Sequence, residues 1–132
     1  MPAYNEELHL LENLIKIKNS FESNRFSDYE IIVCDNNSTD NTPIIAKDFG
    51  ARVIFESFNQ ISKARNKGAS IANGEWLVFI DADSWPSKYL VKLYLTKYLK
   101  MIQLQVVLLF NLFLLHFGGE LLGNLLISLC LY

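Results

Sequence analysis

Apolar positions in the first part of the chain recur with two periods, one helical and one extended. Leu8, Leu11, Leu14 and Ile15, with Lys18 beside them, follow helical spacing, and the apolar members form the inner stripe of a helix from Asn5 to about Asn19. Asn5 stands where an N-cap would, and Glu6 and Glu7 fall in the first turn, where the helix dipole favours anions. Polar residues from Asn19 to Asp28 form a link. Glu30-Ile31-Ile32-Val33-Cys34 then reads as a short buried strand, and Asp35-Asn36-Asn37-Ser38-Thr39-Asp40 as loop, its short side chains bonding nearby backbone. A second helix runs from about Asn41 to Phe49, capped by Asp40 or Thr39, with Pro43 in its first turn and Gly50 as its stop. Arg52-Val53-Ile54-Phe55 is the next strand. A third helix spans Ile61 to about Ala72, with Gly74 as terminator. Trp76 to Ile80 is a further strand, and Pro86 or Ser87 opens a helix to about Lys100. The order α-β-α-β-α-β predicts a parallel sheet with helices on its faces. The chain opens on residues that would follow a first strand, which predicts an unpaired central edge in that sheet.

The strand Trp76-Leu77-Val78-Phe79-Ile80 ends in two carboxylates, Asp81 and Asp83. Five apolar residues in succession predict burial on both faces. An ionised Asp is not tolerated in such an interior unless paired or metal-bound, so both carboxylates belong at the sheet's rim, where open α/β sheets bind ligands. In extended chain their side chains point the same way, about 6–7 Å apart. One hydrated divalent cation or one metal-bound diphosphate bridges that gap. Two readings stand together here: such a site, or a pair of capping aspartates at a turn before Ser84 and Pro86.

A chain of 132 residues is one domain or part of a larger one. A net charge of −2, a pI near 5.6 and the lack of a basic stripe exclude nucleic acid as the expected partner. Cys34 and Cys130 build no disulfide framework, and Cys34 closes an apolar strand as a small core residue, which fits a reducing, cytoplasmic compartment. No secretory leader is expected, because Asn5, Glu6 and Glu7 follow Met1-Pro2-Ala3-Tyr4 without a basic or long apolar run.

On a doubly wound sheet the strand ends share one edge. Asp35 follows Cys34 there, Asp81 and Asp83 follow Ile80, and Pro2-Ala3-Tyr4-Asn5 would occupy the same edge. Acidic residues from two strand ends suit a metal-bound phosphate ligand, since Mg²⁺ and Mn²⁺ prefer oxygen donors and bare carboxylates repel a diphosphate. Arg65, on a helix whose Ala64, Gly68 and Ala69 allow close packing, is the natural phosphate partner. Lys63 and Lys67 read as a solvated face, and Tyr4 either stacks on a base or covers a helix end. His9 and His116 read as surface and apolar-face residues. No His/Cys cluster has zinc spacing, and no Gly-rich phosphate loop is present.

Four segments in series carry a resemblance over about residues 1–90. Pro2-Ala3-Tyr4-Asn5-Glu6-Glu7, Val33-Cys34-Asp35-Asn36-Asn37-Ser38-Thr39-Asp40-Asn41-Thr42, Ala64-Arg65-Asn66-Lys67-Gly68 and Phe79-Ile80-Asp81-Ala82-Asp83 resemble family 2 glycosyltransferases of the GT-A fold. The resemblance implies a Rossmann-like three-layer sandwich with a mostly parallel sheet, here incomplete. It implies a donor-binding set of Pro2, Tyr4, Glu6, Asp35, Arg65 and Asp81, with Tyr4 and Asp35 on base or ribose and Arg65 near the phosphates. Asp81-Ala82-Asp83 matches the DXD motif, with Asp83 on Mn²⁺ or Mg²⁺ and Asp81 on ribose or metal. The implied reaction transfers a sugar from a nucleotide-diphosphate donor to a polysaccharide, lipid-carrier or protein acceptor, with inversion. No catalytic base is assigned, since only Glu120 follows Asp83 among the acids.

The chain changes character after this region. Residues 1–83 hold 13 of the 14 acidic residues, whereas 13 of the 34 residues from Leu99 onward are Leu. Residues 91–132 read as an apolar helical tail, with family sequence ending near Lys88 and a truncated or shifted reading frame as one origin. Membrane association through 101–132, as a re-entrant or interfacial hairpin, is a second reading, and a buried soluble helix lacking its partners is a third. Met101 to Phe117 would span about 26 Å as a helix, short of a hydrocarbon core of about 30 Å. Lys88, Lys92, Lys97 and Lys100 precede it and favour a cytoplasmic nucleotide-binding side.

Overall fold

The structure, a computed structural model, describes residues 1–98 and the backbone of Ile127–Cys130. The elements run β1 (Pro2–Ala3), α1 (Leu10–Glu22), β2 (Tyr29–Asp35), α2 (Thr42–Phe49), β3 (Arg52–Phe55), α3 (Ile61–Ser70), α4 (residues 88–98) and β4 (Ile127–Cys130). Every pairing among these strands is parallel. The architecture is a partial GT-A, Rossmann-like α/β fold.

Strand β2 is the axis of the sheet. β3 pairs with it from Ile32 to Asp35, while β1 pairs at Cys34 and Asp35 and β4 from Tyr29 to Ile32. A residue has two edges, so β1 and β4 must share the edge opposite β3. Between them the Met1 ammonium donates to the Ile32 carbonyl at 3.0 Å, and the Cys34 N–H donates to the Met1 carbonyl at 2.7 Å. The predicted unpaired edge is therefore corrected: β4, Met1 and β1 bond it in turn. Ile127–Cys130 is a strand within the tail read as helical. The remainder of that tail beyond residue 98, including the 101–117 segment, lies outside the described residues.

Side chains of β2 alternate between two faces. Tyr29, Ile31 and Val33 join the cluster of Leu10, Leu14, Ile17, Phe21, Ala46 and Ala51 beneath α1 and α2. Ile32 and Cys34 are buried on the other face, where α3 packs on β2 with Ala64 and Gly68 buried. Cys34 is a core residue, as predicted, at 1% exposure.

Helix α1 departs from its predicted phase. It begins at Leu10, with His9 as N-cap and Glu12 as the acid of its first turn. Asn5 cannot cap it: its φ is 54°, in the left-handed region, and its Oδ1 accepts the Thr39 N–H at 2.8 Å. The later start turns Leu10, Asn13, Leu14, Ile17, Ser20 and Phe21 inward, and leaves Leu8, Leu11 and Ile15 exposed. A search for apolar periodicity rejects this face because Asn13 and Ser20 interrupt it. Their partners are the carbonyls of Ala82 and Pro86, 69 and 66 residues away.

The other helices follow the sequence closely. Asp40 Oδ1 accepts the Thr42 N–H at 2.9 Å at the start of α2, and Gly50, at φ 97°, ends it in the left-handed conformation. α3 stops at Ser70, two residues short of the expected end near Ala72. Ser87 Oγ accepts the Leu90 N–H at 3.2 Å at the start of α4, as predicted.

The predicted strand at Trp76 to Ile80 joins no ladder among the described residues. Val78 and Ile80 face the core, whereas Trp76, Leu77 and Phe79 are exposed, so burial is on one face and not two. The outer edge of β1 offers no ladder donor. Met1 and Ala3 turn their carbonyls to β2, leaving Pro2 to face away, and Pro2 has no N–H to donate.

Candidate functional site

Two loops at the carboxyl edge of the sheet are laced together. The Asn5 N–H donates to Ser38 Oγ at 3.1 Å, the Glu6 N–H to Thr42 Oγ1 at 2.7 Å and the Glu7 N–H to Asp40 Oδ2 at 3.2 Å. In return Glu7 Oε2 accepts the Asn41 N–H at 3.0 Å. Short polar side chains bond neighbouring backbone readily, and here they do so across loops rather than within one. The lacing holds Glu6 directly and Tyr4 between the end of β1 and the bonded Asn5.

A cavity of about 340 Å³ opens beside this lacing. It is lined by Pro2, Ala3, Tyr4 and Glu6 from β1 and the loop after it, by Asp81, Ala82 and Asp83, and by Asn36, Asn59 and Ile61. Five of the sequence-predicted residues, Pro2, Tyr4, Glu6, Asp81 and Asp83, thus meet at one place. Arg65 reaches it indirectly, through an ion pair of its Nη2 with Asp81 Oδ1 at 3.2 Å. Asp35 is buried behind the cavity, and its Oδ1 accepts the Ser38 N–H at 3.0 Å. The next residue takes the lining position instead: Asn36 Nδ2 donates to Asn59 Oδ1 at 3.2 Å, and Asn36 Oδ1 accepts the Gln60 N–H at 3.3 Å. Asn59 and Ile61 carried no motif in the sequence; their place follows from the loop after β3.

Charge in the site is mostly negative. Burial raises the Glu6 carboxyl above its ordinary 4.5, with Asp83 and Asp40 adding to the effect and His9 opposing it. Asp83 is exposed and accepts the Ser84 hydroxyl at 2.9 Å. Among the described residues no three His, Cys, Asp or Glu side chains converge as a metal cage. A hydrated Mg²⁺ or Mn²⁺ needs no cage, because one or two carboxylates plus phosphate oxygens complete its shell. Asp83, facing Glu6, fits that mode; Asp81 already spends its charge on Arg65. A larger hollow of about 400 Å³ lies at the opposite edge, but its Arg52 pairs with Glu30 and its Lys18 with Glu22.

A parallel α/β sheet with carboxylates and a cavity at its carboxyl edge defines a ligand-binding domain of the doubly wound class. The family Glycosyl transferase family 2 matches residues 1–106, reaching past Lys88. The chain belongs to that family. The SPbeta prophage-derived glycosyltransferase SunS of Bacillus subtilis is 41% identical over 89 residues, covering 65% of this chain and 19% of that protein. Glycosyltransferase AglE of Haloferax volcanii is 36% identical over 94 residues, covering 65% and 30%. Glycosyltransferase GlyA of Streptococcus pneumoniae is 31% identical over 110 residues, covering 80% and 15%. The chain spans less than a third of each of these relatives. No solved structure matches it.

Proposed function

We propose that this domain is the donor-binding half of a metal-dependent, inverting glycosyltransferase, holding a nucleotide-diphosphate sugar in the cavity between Tyr4, Glu6, Asp81 and Asp83. The observation that supports this most is the meeting of the β1 loop with the Asp81-Ala82-Asp83 turn around one cavity at the sheet's carboxyl edge. Tyr4, 44% exposed, offers a ring for a base, and Asn36 and Asn59 offer amides for its edge or the ribose. Arg65 steers the diphosphate toward the cavity from beside Asp81. Asp83 would hold Mn²⁺ or Mg²⁺, which supplies charge neutralisation for the departing diphosphate. Glu6, whose proton affinity is raised by burial and by Asp83, responds to any cation placed between them.

A second reading is a fragment that binds nucleotide diphosphate without transferring sugar, and the short share of each relative's length favours weighing it. A thermal-shift titration of nucleotide diphosphates, with and without Mn²⁺, tests both. Stabilisation that needs Mn²⁺ and disappears in Asp83→Ala is the expected result; at a hundredfold excess over Kd it amounts to about 2.7 kcal/mol. An equal shift in Asp83→Ala would remove the metal assignment. Turnover of a nucleotide sugar separates the transferase from the binding fragment.

A further inference from the structure

We infer that α1 is a rail that holds the Asp81-Ala82-Asp83 turn, with Asn13 as the positioning residue for Asp83; the inference rests on the donor-site reading. Three side chains on one stripe of α1, Asn13, Lys16 and Ser20, and Asn24 just past its end meet the segment from Ala82 to Lys88. Asn13 Nδ2 donates to the Ala82 carbonyl at 2.8 Å, Ser20 Oγ to the Pro86 carbonyl at 2.9 Å and Asn24 Nδ2 to the Lys88 carbonyl at 2.9 Å. Between them the Lys16 ammonium lies 3.6 Å from the centre of the Trp85 ring. The segment from Ala82 to Lys88 lies outside the strands of the sheet, and the buried carbonyls of Ala82 and Pro86 are met by side-chain donors.

Asn13 is the decisive member. It is 4% exposed, among Leu10, Leu14 and Ile17, where an unbonded amide is costly and an apolar residue would pack as well. The Ala82 carbonyl belongs to the planar peptide unit that joins Ala82 to Asp83. Fixing that oxygen fixes the Asp83 N–H and the position of its Cα, which leaves the Asp83 φ and side-chain rotamer as the only freedom in where the carboxylate reaches. α1 thereby narrows the aim of the carboxylate at the cavity.

Hydrogen exchange on the metal-free protein tests the rail, comparing the native sequence with Asn13→Leu, Asn24→Ala and Ser23→Ala. Ser23 Oγ bonds only its own helix, at the Asn19 carbonyl, and serves as control. In Asn13→Leu the Ser84 amide, bonded to the Asp81 carbonyl at 3.0 Å, exchanges about tenfold faster, with β2 and β3 amides unchanged. Mn²⁺ alone, titrated by electron paramagnetic resonance, binds Asn13→Leu about tenfold more weakly and Ser23→Ala as before. If Asn13→Leu does not fold, Asn24→Ala carries the same comparison at the exposed end of the rail, with acceleration of about threefold. Unchanged exchange at Ser84, or acceleration spread equally through β2 and β3, overturns the rail. Faster exchange with unchanged Mn²⁺ affinity reduces Asn13 to a structural pin and overturns its positioning role. A native protein that binds no Mn²⁺ overturns the metal reading instead, and the exchange result still decides whether α1 holds the turn.

Discussion

Glu6 carries a charge that the folded protein resists. Burial and the facing Asp83 raise its pKa above 4.5, so the folded state binds its proton more tightly than the unfolded state does. The stability linked to that proton is complete below the unfolded pKa and is lost as pH rises through the raised folded value. In urea titrations without metal, Glu6→Gln should therefore gain on the native sequence over the interval from the ordinary value of 4.5 up through the raised folded pKa. A Gln variant that loses ground over that interval would contradict the placement of Glu6 against Asp83. Arg65 and Asp81 make the opposite kind of pair. Their side chains are 37% and 49% exposed, so the bridge itself contributes little stability, within about 1 kcal/mol. Its value is in binding: Arg65→Gln should leave the melting temperature nearly unchanged and weaken nucleotide-diphosphate affinity about tenfold or more by calorimetry. An affinity within twofold of native would remove Arg65 from the donor site.

At the level of elements, α1 is where pattern and packing disagree. Leu14 is fully buried and Leu11 is 48% exposed, although both are leucines on the same helix. Leu14→Ala should cost about 2–5 kcal/mol through lost transfer energy and a cavity, whereas Leu11→Ala should stay within about 1 kcal/mol. Chemical denaturation of the two variants distinguishes the observed phase from the stripe read off the sequence; equal losses would favour the latter. α2 and β3 were legible because their signals are local: Asp40 beside the first turn, Pro43 within it, Gly50 at the end, and a four-residue β-branched and aromatic strand. The strand expected at Trp76 to Ile80 was not, because a run of apolar residues reports burial and not the hydrogen-bonding partner.

For the whole molecule, the edge of β2 is the point of weakness and of closure. β4 covers Tyr29 to Ile32 and β1 covers Cys34 and Asp35. Ending the chain at residue 126 would bare the first of these stretches, and a bare parallel edge pairs with other chains. Light scattering should show that protein aggregating at concentrations where the full chain stays clear; a clear solution would mean that β4 is dispensable. Sequence alone determined the order of α1, β2, α2, β3 and α3 and the family, and it named five of the residues that line the cavity, since each rests on spacing or on local turn chemistry. Tertiary structure decided the rest. It placed Asp35 behind the cavity and Asn36 in its lining, turned Asn13 and Ser20 inward to bond carbonyls far along the chain, paired Arg65 with Asp81, and recruited Ile127–Cys130 to the sheet. Each of these depends on a partner distant in sequence, and a one-dimensional pattern holds no record of which distant groups will meet.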